Sequence, residues 1–453
     1  MAVTTAKTPS DGSHANPSPQ SRDTRELLPV LGLREYWYPV LLDKEVGSKK
    51  PVMVTMLGDD ICFFRGKSGN VVAVDNACPH RGAKLSKGSC DFKGTISCFY
   101  HGMTFDETGL CIAALGEGPL SPMPGKLRAK VYPTATIKGV VWMWMGAGEP
   151  APLEDCIPEE FLDDSVQLFN WRNSWPCNWR PAVENYADSH VRYVHRNSML
   201  MLMRPMLPSS LPMAGKPYRV GAHRLAAPGR IGSARQLGQM PNRPYQDYYP
   251  LLGRKWPTHR WRLLWTWFFE WTDRVRAKFR PPFQVSEEWG TGQHLPSVVR
   301  LNYGTHMYTR WAIPVRENET RMFYFHAARR GTWVGRVHEW LQWNLFHNWA
   351  MNKNFSEQDS PGAIDLYYDR PERPSVSDQQ TIEWRKMVLS APELNLRKPP
   401  RDKDQADRSF AVAKAHGANG ADGSNGANGS GGNGHGMAQA AGEKQPEAAA
   451  GQG

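Results

Sequence analysis

Four residues in the stretch NACPHRGAKLSKGSCDFKGTISCFYHGMTFD, residues 76–106, carry side chains that hold metals: Cys78, His80, Cys98 and His101. Their order is Cys-x-His, then seventeen residues, then Cys-x-x-His, so each half supplies one thiolate and one imidazole. Zinc fingers pair Cys with Cys and His with His, which is a different order. Thiolate and imidazole together suit zinc or an iron–sulfur cluster. Two short loops that each give one ligand of either kind suit a cluster pinched between them. When two thiolates hold one iron and two neutral imidazoles the other, the reduction potential rises, and the group serves as an electron carrier rather than a staple.

A second constellation lies in CNWRPAVENYADSHVRYVH, residues 177–195. Helical spacing puts Trp179, Ala182, Val183 and Tyr186 on one side and gathers Glu184, Asn185, Asp188, His190 and His195 on another. Two neutral imidazoles and one carboxylate on one face of an iron form the triad of non-haem Fe(II) oxygenases, whose open positions admit O2 and substrate. Taken alone, two histidines at this spacing more often serve a structural role. Because His190 and His195 are five apart, they overshoot the i, i+4 spacing of a regular helix, so the helix must end or bulge between them.

Cys78-Pro79-His80-Arg81-Gly82 and Cys98-Phe99-Tyr100-His101-Gly102 resemble the two cluster-binding boxes of Rieske domains. The later pattern Glu184-Asn185-x2-Asp188-x-His190-x4-His195 resembles the catalytic motif of Rieske non-haem iron oxygenases. The resemblance implies a [2Fe-2S] cluster on Cys78, His80, Cys98 and His101, and a mononuclear Fe(II) on His190, His195 and a downstream carboxylate. Phe355-Ser356-Glu357-Gln358-Asp359 fits the family's third ligand, so Asp359 is expected, with Glu357 next and Asp365 as a helix-end residue. Asp188 is expected to act in catalysis as the carboxylate joining a cluster-ligating His of a neighbouring subunit to an iron-ligating His. The stretches LREYWYPV, FLDDSVQLFNWR and TIEWRKMV look like the branch that holds carbazole 1,9a-dioxygenase oxygenases and aromatic O- and N-demethylases. Also implied are O2 as co-substrate, a ferredoxin or NAD(P)H-dependent reductase as partner, and a homotrimer. The implied substrate is a small aromatic or hydrophobic molecule, with or without an anionic group.

These sites need elements to hold them. VVAV (71–74) and GTISCF (94–99) read as short strands whose tips carry the cluster loops, and GVVWMWMG (139–146) reads as a buried strand. Farther on, SVVRLNYGTHMYTRWAIPV and TRMFYFHAARR alternate as half-buried antiparallel strands do. VGRVHEWLQWNLFHNWAMNKNF reads as a long amphipathic helix leading to Asp359. The expected fold class is α+β: an N-terminal all-β Rieske domain over residues 34–150, then a catalytic domain over 151–405 with an antiparallel sheet flanked by helices. Residues 1–30 and the Gly/Ala/Asn-rich 406–453 are expected to be disordered tails, since neither can bury enough apolar surface.

Composition agrees with a globular middle: the chain has 453 residues, 40% of them apolar, with 18 Trp and 16 Phe. Seven cysteines, an odd number spread over a large chain, argue for metal ligation by a subset rather than a disulfide framework. Cys62 and Cys90 read as small buried residues. With no apolar leader and no long apolar run, a cytoplasmic location is expected. The net charge of +11 is concentrated in residues 201–300, where 16 basic residues face 5 acidic ones. No nucleic-acid-binding motif accompanies that charge, so no nucleic acid partner is expected. In HRWRLLWTWFFEWTDRVRAKFRPPF (259–283), Trp261, Leu264, Trp265, Phe268 and Val275 form a stripe read as core-facing. An interfacial helix or a lid over a large apolar substrate are its alternatives. His223, His259 and His306 read as structural. Two other functions fit parts of the chain: a membrane-associated oxygenase for steroid or tetrapyrrole-like substrates, and an electron-transfer protein without oxygenase chemistry.

Overall fold

The computed structural model describes residues 24–187, 190–198, 217–226, 261–278, 283–368, 370–375 and 378–391. Residues 37–144 form three small antiparallel sheets. One joins Trp37–Leu42, Val140–Trp144 and Thr134–Ile137; another joins Val52–Met56, Asp59–Arg65, Val71–Asp75 and Val131–Tyr132. The third, Thr95–Ser97, Met103–Asp106 and Cys111–Ala114, flanks the second Cys/His loop. β-Branched and aromatic residues dominate these strands, and every residue of Val140–Trp144 is buried. The N-terminal part of the described chain is all-β.

Residues 166–329 supply a seven-stranded antiparallel sheet in the order Val166–Trp175, Glu319–Arg329, His306–Arg316, Val298–Asn302, Gly292–His294, Arg224–Ala226, Tyr218–Val220. The central strands differ from the half-buried expectation. All of His306–Val315 is buried on both faces, because helices cover one side and the N-terminal sheets the other. Alternation in composition there marks two different interiors, one apolar and one carrying polar groups. The join on the apolar side is an aromatic nest: Trp142 meets Phe161 at 5.2 Å and Trp311 at 5.4 Å, and Phe161 meets Phe325 at 5.0 Å, all near edge-on. Each such ring removes about 150–250 Å² from water, about 4–6 kcal/mol at 25 cal per Å². A smaller core, with Phe64, Val74, Leu85, Ile96 and Phe105, lies beneath the cluster loops and includes the buried Cys62 and Cys90.

The helical layer is one long element: α-helix Trp333–Gln342, π-helix Trp343–Phe355, then α-helix Ser356–Ile364, ending at Asp365. Thr332 caps its start, its Oγ1 accepting from the Gly335 N–H at 3.3 Å. The Ser356 hydroxyl donates to the Met351 carbonyl five residues back at 3.0 Å, matching the wide π register. Helix Arg262–Ala277 packs antiparallel against this element through Phe269, which stacks on Phe346 at 6.0 Å and meets His338 edge-on at 5.8 Å. Its stripe of Trp261, Leu264, Trp265, Phe268 and Val275 faces outward, correcting the core-facing expectation. Trp333, Val334, Val337, Trp340 and Leu341 of the neighbouring helix are exposed too. Residues 24–30, expected in a disordered tail, are packed instead. Arg25 and Leu28 are buried, Trp179 Nε1 donates to the Pro29 carbonyl at 2.9 Å, and Asn178 Nδ2 donates to that of Val30 at 3.0 Å. The rest of that tail, the C-terminal tail, His259 and most of the basic segment lie outside the described residues. Among the described residues, no helix is long and apolar enough to cross a membrane.

Candidate metal centres

The two Cys/His loops repeat one geometry. In the first, the Cys78 N–H donates to the Ala83 carbonyl at 2.8 Å and the Gly82 N–H to the Cys78 carbonyl at 2.8 Å. In the second, the Cys98 N–H donates to the Met103 carbonyl at 2.8 Å and the Gly102 N–H to the Cys98 carbonyl at 3.0 Å. Gly82 and Gly102 hold φ at +73° and +65°, the left-handed region that glycine occupies without strain. At Gly102 a Cβ would come within 2.8 Å of Leu115. The loops therefore present their ligands as a near-symmetric pair. Cys78 and Cys98 are buried, and the His80 and His101 rings lie 4.7 Å apart. His80 Nδ1 is buried with no hydrogen-bond partner among the described residues, as befits a nitrogen reserved for a metal. Burial and, in smaller part, the neighbouring Cys98 push the Cys78 thiol up to about 12, so the free Cys78 thiol is protonated and metal binding must displace its proton. This donor set fits a [2Fe-2S] cluster with mixed ligation. Phe99 and Tyr100, beside His101, are exposed.

The second centre is assembled by elements far apart in sequence. Asn178 caps helix Trp179–Glu184, its Oδ1 accepting from the Arg180 N–H at 3.1 Å. That helix stops at Glu184. A new α-turn, Val191–Val194, follows His190 and gives way to a 3-10 turn at His195–Asn197, so the helix ends between the two histidines as their spacing requires. Asp359 arrives from the long helix. Its Oδ1 lies 2.9 Å from His190 Nε2 and 2.6 Å from His195 Nε2, and the three ligand atoms are mutually within 4.8 Å. Burial opposes charge on Asp359, but hydrogen bonds from the two imidazoles outweigh it and hold the carboxyl down at about 2. An ionised carboxylate and two imidazole nitrogens converging on one point fit a mononuclear Fe(II) with open positions. Glu357 and Asp365 are not in this group. Asp188 lies outside the described residues. A cleft of about 160 Å³ runs beside the centre, lined by Glu184, Asn185, His190, Val194 and Asp359 among others.

Several supporting residues escape sequence reasoning. Phe355 stacks on the His195 ring at 3.5 Å and 13°, fixing its plane; its position one helical turn before Asp359 was the available signal. Tyr308 and Tyr324 are buried on adjacent strands, their phenols pushed up by burial and, in smaller part, by the Asp359 charge. Glu184 is gripped by Arg385 through two hydrogen bonds, 2.8 Å from Nε and 2.9 Å from Nη2, and by the Tyr368 hydroxyl at 2.8 Å. Burial pushes the Glu184 carboxyl up and the guanidinium opposes it, while the same pairing keeps Arg385 charged. That pair ties the C-terminal helix Gln379–Leu389 to the segment that leads to the histidines.

Comparison with known proteins agrees with this geometry. Residues 36–124 match the Rieske [2Fe-2S] domain family, and residues 144–219 match the homotrimeric ring hydroxylase family. The chain is 35% identical over 172 residues to the terminal oxygenase component of carbazole 1,9a-dioxygenase from Metapseudomonas resinovorans, covering 38% of this chain and 44% of that protein. It is 32% identical over 177 residues to the 5,5'-dehydrodivanillate O-demethylase oxygenase subunit of a Sphingobium species, covering 36% of this chain and 39% of that one. These alignments thus span less than half of either relative. In three dimensions, the carbazole 1,9a-dioxygenase terminal oxygenase from a Novosphingobium species aligns at a TM-score of 0.58 and 23% identity, over 81% of this chain and 95% of that one. The fold is shared across nearly the whole of that neighbour. The chain carries a Rieske [2Fe-2S] domain followed by a ring-hydroxylase domain.

Proposed function

We propose that this pairing of a Rieske domain with a ring-hydroxylase domain is the terminal oxygenase of a multicomponent system. It hydroxylates, dihydroxylates or oxidatively demethylates a small aromatic or polycyclic substrate, hydrophobic and with or without an anionic group. The observation that carries this reading is the convergence of His190, His195 and Asp359 in a chain that also has both cluster boxes. An electron carrier alone needs no such triad. Cys78, His80, Cys98 and His101 hold the cluster; His190, His195 and Asp359 hold the iron. Bound there, the cluster supplies one-electron transfer and the Fe(II) an O2-activating centre.

The chain's own residues do the rest. His190 and His195 would present ring nitrogens to the metal and Asp359 one negative charge, and positions these three residues do not fill would admit O2 and substrate. Phe355 keeps the His195 ring from turning. Tyr308 and Tyr324, buried within electrostatic reach of Asp359, keep their phenols protonated. The cluster loops rest on a separate small core, which supports a head-to-tail homotrimer that sets each cluster beside a neighbour's iron. Asp188 then spans that junction, accepting from His101 of one subunit and an iron-ligating His of the next. Exposed Phe99 and Tyr100 are suited to a contact beside the cluster. A ferredoxin or NAD(P)H-dependent reductase supplies electrons, and the protein works in the cytoplasm. The domains divide at residues 34–150 and 151–405.

The test is turnover with a surrogate reductase, a panel of aromatic substrates and labelled O2. Product carrying the label, or demethylation that requires O2, is the expected result. Electron uptake with no oxygenated product across the panel, in protein containing cluster iron alone, contradicts the proposal.

A further inference from the structure

A second gathering of imidazoles lies under the helical layer. His306 opens one central strand and His326 sits on the next; the register pairs Tyr308 with His326 and His306 with Ala328, so the two histidines are diagonal neighbours on one face. His347 comes down onto them from the π-helix. Ring centroids lie 4.8 Å apart for His306 and His347, 5.0 Å for His326 and His347, and 6.0 Å for His306 and His326. Two carboxylates join them. Glu339 Oε2 is 3.0 Å from His306 Nε2, and Asp273 Oδ2, from helix Arg262–Ala277, is 4.0 Å from His347 Nε2. One ligand atom each from Asp273, His306 and His347 fall within 4.8 Å of one another.

The His190/His195/Asp359 triad is the internal standard for such a cluster. Its two rings are 5.7 Å apart, wider than two of the three spacings here, and it too places a carboxylate oxygen against an imidazole Nε2. Imidazoles that share a tetrahedral ion, each with its nitrogen about 2.0–2.1 Å from the metal, bring their ring centres about 5 Å apart. His326 adds an independent sign. It is only 2% exposed, and neither ring nitrogen has a hydrogen-bond partner among the described residues. A neutral imidazole always has one N–H and one lone pair, and burying both unpaired is costly unless something else uses them. His306 has polar neighbours at both nitrogens, Thr305 Oγ1 at 2.8 Å and Glu339, so an ion there replaces one of those contacts.

We propose that Asp273, His306 and His347 hold a borderline divalent cation of the Zn²⁺ class, with His326, which lies outside that converged trio, turning its unpartnered ring in as the fourth ligand and Glu339 balancing the charge. Four protein ligands from strand, strand, π-helix and outer helix leave no open position, which makes the site structural. It clamps helix Arg262–Ala277, whose outward face is apolar, onto the sheet. The site is independent of the proposed oxygenase chemistry.

The test uses full-length Asp359→Ala protein, in which the iron triad is disabled, loaded with Co²⁺ or Zn²⁺ and desalted. One equivalent of the added metal per chain is expected, with the visible bands of four-coordinate Co²⁺. Adding His326→Phe or His347→Gln to that background should remove the equivalent and the bands while circular dichroism and cluster absorbance persist. Two replacements guard against a misfolded variant. Absence of added metal in the Asp359→Ala protein, or binding unchanged by both replacements, overturns the site and leaves the oxygenase reading untouched.

Discussion

At the scale of residues, side chains that share a loop can be paired from their spacing, whereas those that meet only through the fold need another signal. Cys78 and His80, like Cys98 and His101, are fixed to each other by a few bonds and a glycine, so their pairing shows in the sequence itself. Asp359 is 164 residues from His195 and was expected only because Phe355–Asp359 resembles the family's third-ligand pattern. His306, His326 and His347 stand singly in unrelated segments, and no local pattern joins them. Buried His294 offers a separate test. Burial first, then Arg300, with smaller contributions from Arg224 and His223, hold its pKa well below the ordinary 6.5, although its hydrogen bond to the Gly290 carbonyl works the other way. Below pH 6.5 the unfolded chain takes up a proton that the folded chain refuses, so stability falls as the pH falls. The slope for one such group reaches about 1.4 kcal/mol per pH unit. Urea titrations at pH 7 and 5.5 should therefore show a smaller acid loss for His294→Gln than for wild type; equal losses would show that His294 titrates normally.

At the scale of elements, period revealed that a face is apolar without revealing which way it points. The stripe on Arg262–Ala277 and the strand His306–Arg316 were both misjudged for that reason: one faces out, and the other is covered on both sides. The helix break between the two histidines was legible, because five residues do not fit a helical turn. The attachment that holds the broken helix in place was not, since Glu184 and Arg385 are 201 residues apart. Removing one partner of this buried pair leaves the other charge unmatched, so Arg385→Ala should cost about 3–5 kcal/mol of stability. Glu184→Leu with Arg385→Met should cost less than the single change. Chemical denaturation of the three proteins checks the order, and a double variant worse than the single would contradict it. Phe161→Ala, which empties the centre of the aromatic nest, should cost about 3–5 kcal/mol. A loss under 1 kcal/mol by the same measurement would show that the sheets are held elsewhere.

At the scale of the whole molecule, a small separate core lies under the cluster loops, while the large core joins the N-terminal sheets to the seven-stranded sheet and its helices. The two sites were legible as separate because each half carries its own motif, whereas the expectation of a loose residue 24–30 segment failed against long-range hydrogen bonds from Asn178 and Trp179. If subunits complete one another, Asp188→Asn should leave metal content and a trimeric mass in light scattering unchanged while coupled turnover falls steeply. Wild-type turnover in that variant would remove Asp188 from the path. The central claim is that one chain holds both a cluster and a separate iron, and iron with acid-labile sulfide counted per chain tests it most directly. For reconstituted wild type the account predicts about three irons and two sulfides, two of the irons in the cluster. For Asp359→Ala it predicts about two of each, with the reduced-cluster EPR signal unchanged. Two irons per chain in both proteins, or a cluster signal lost with Asp359, would contradict it.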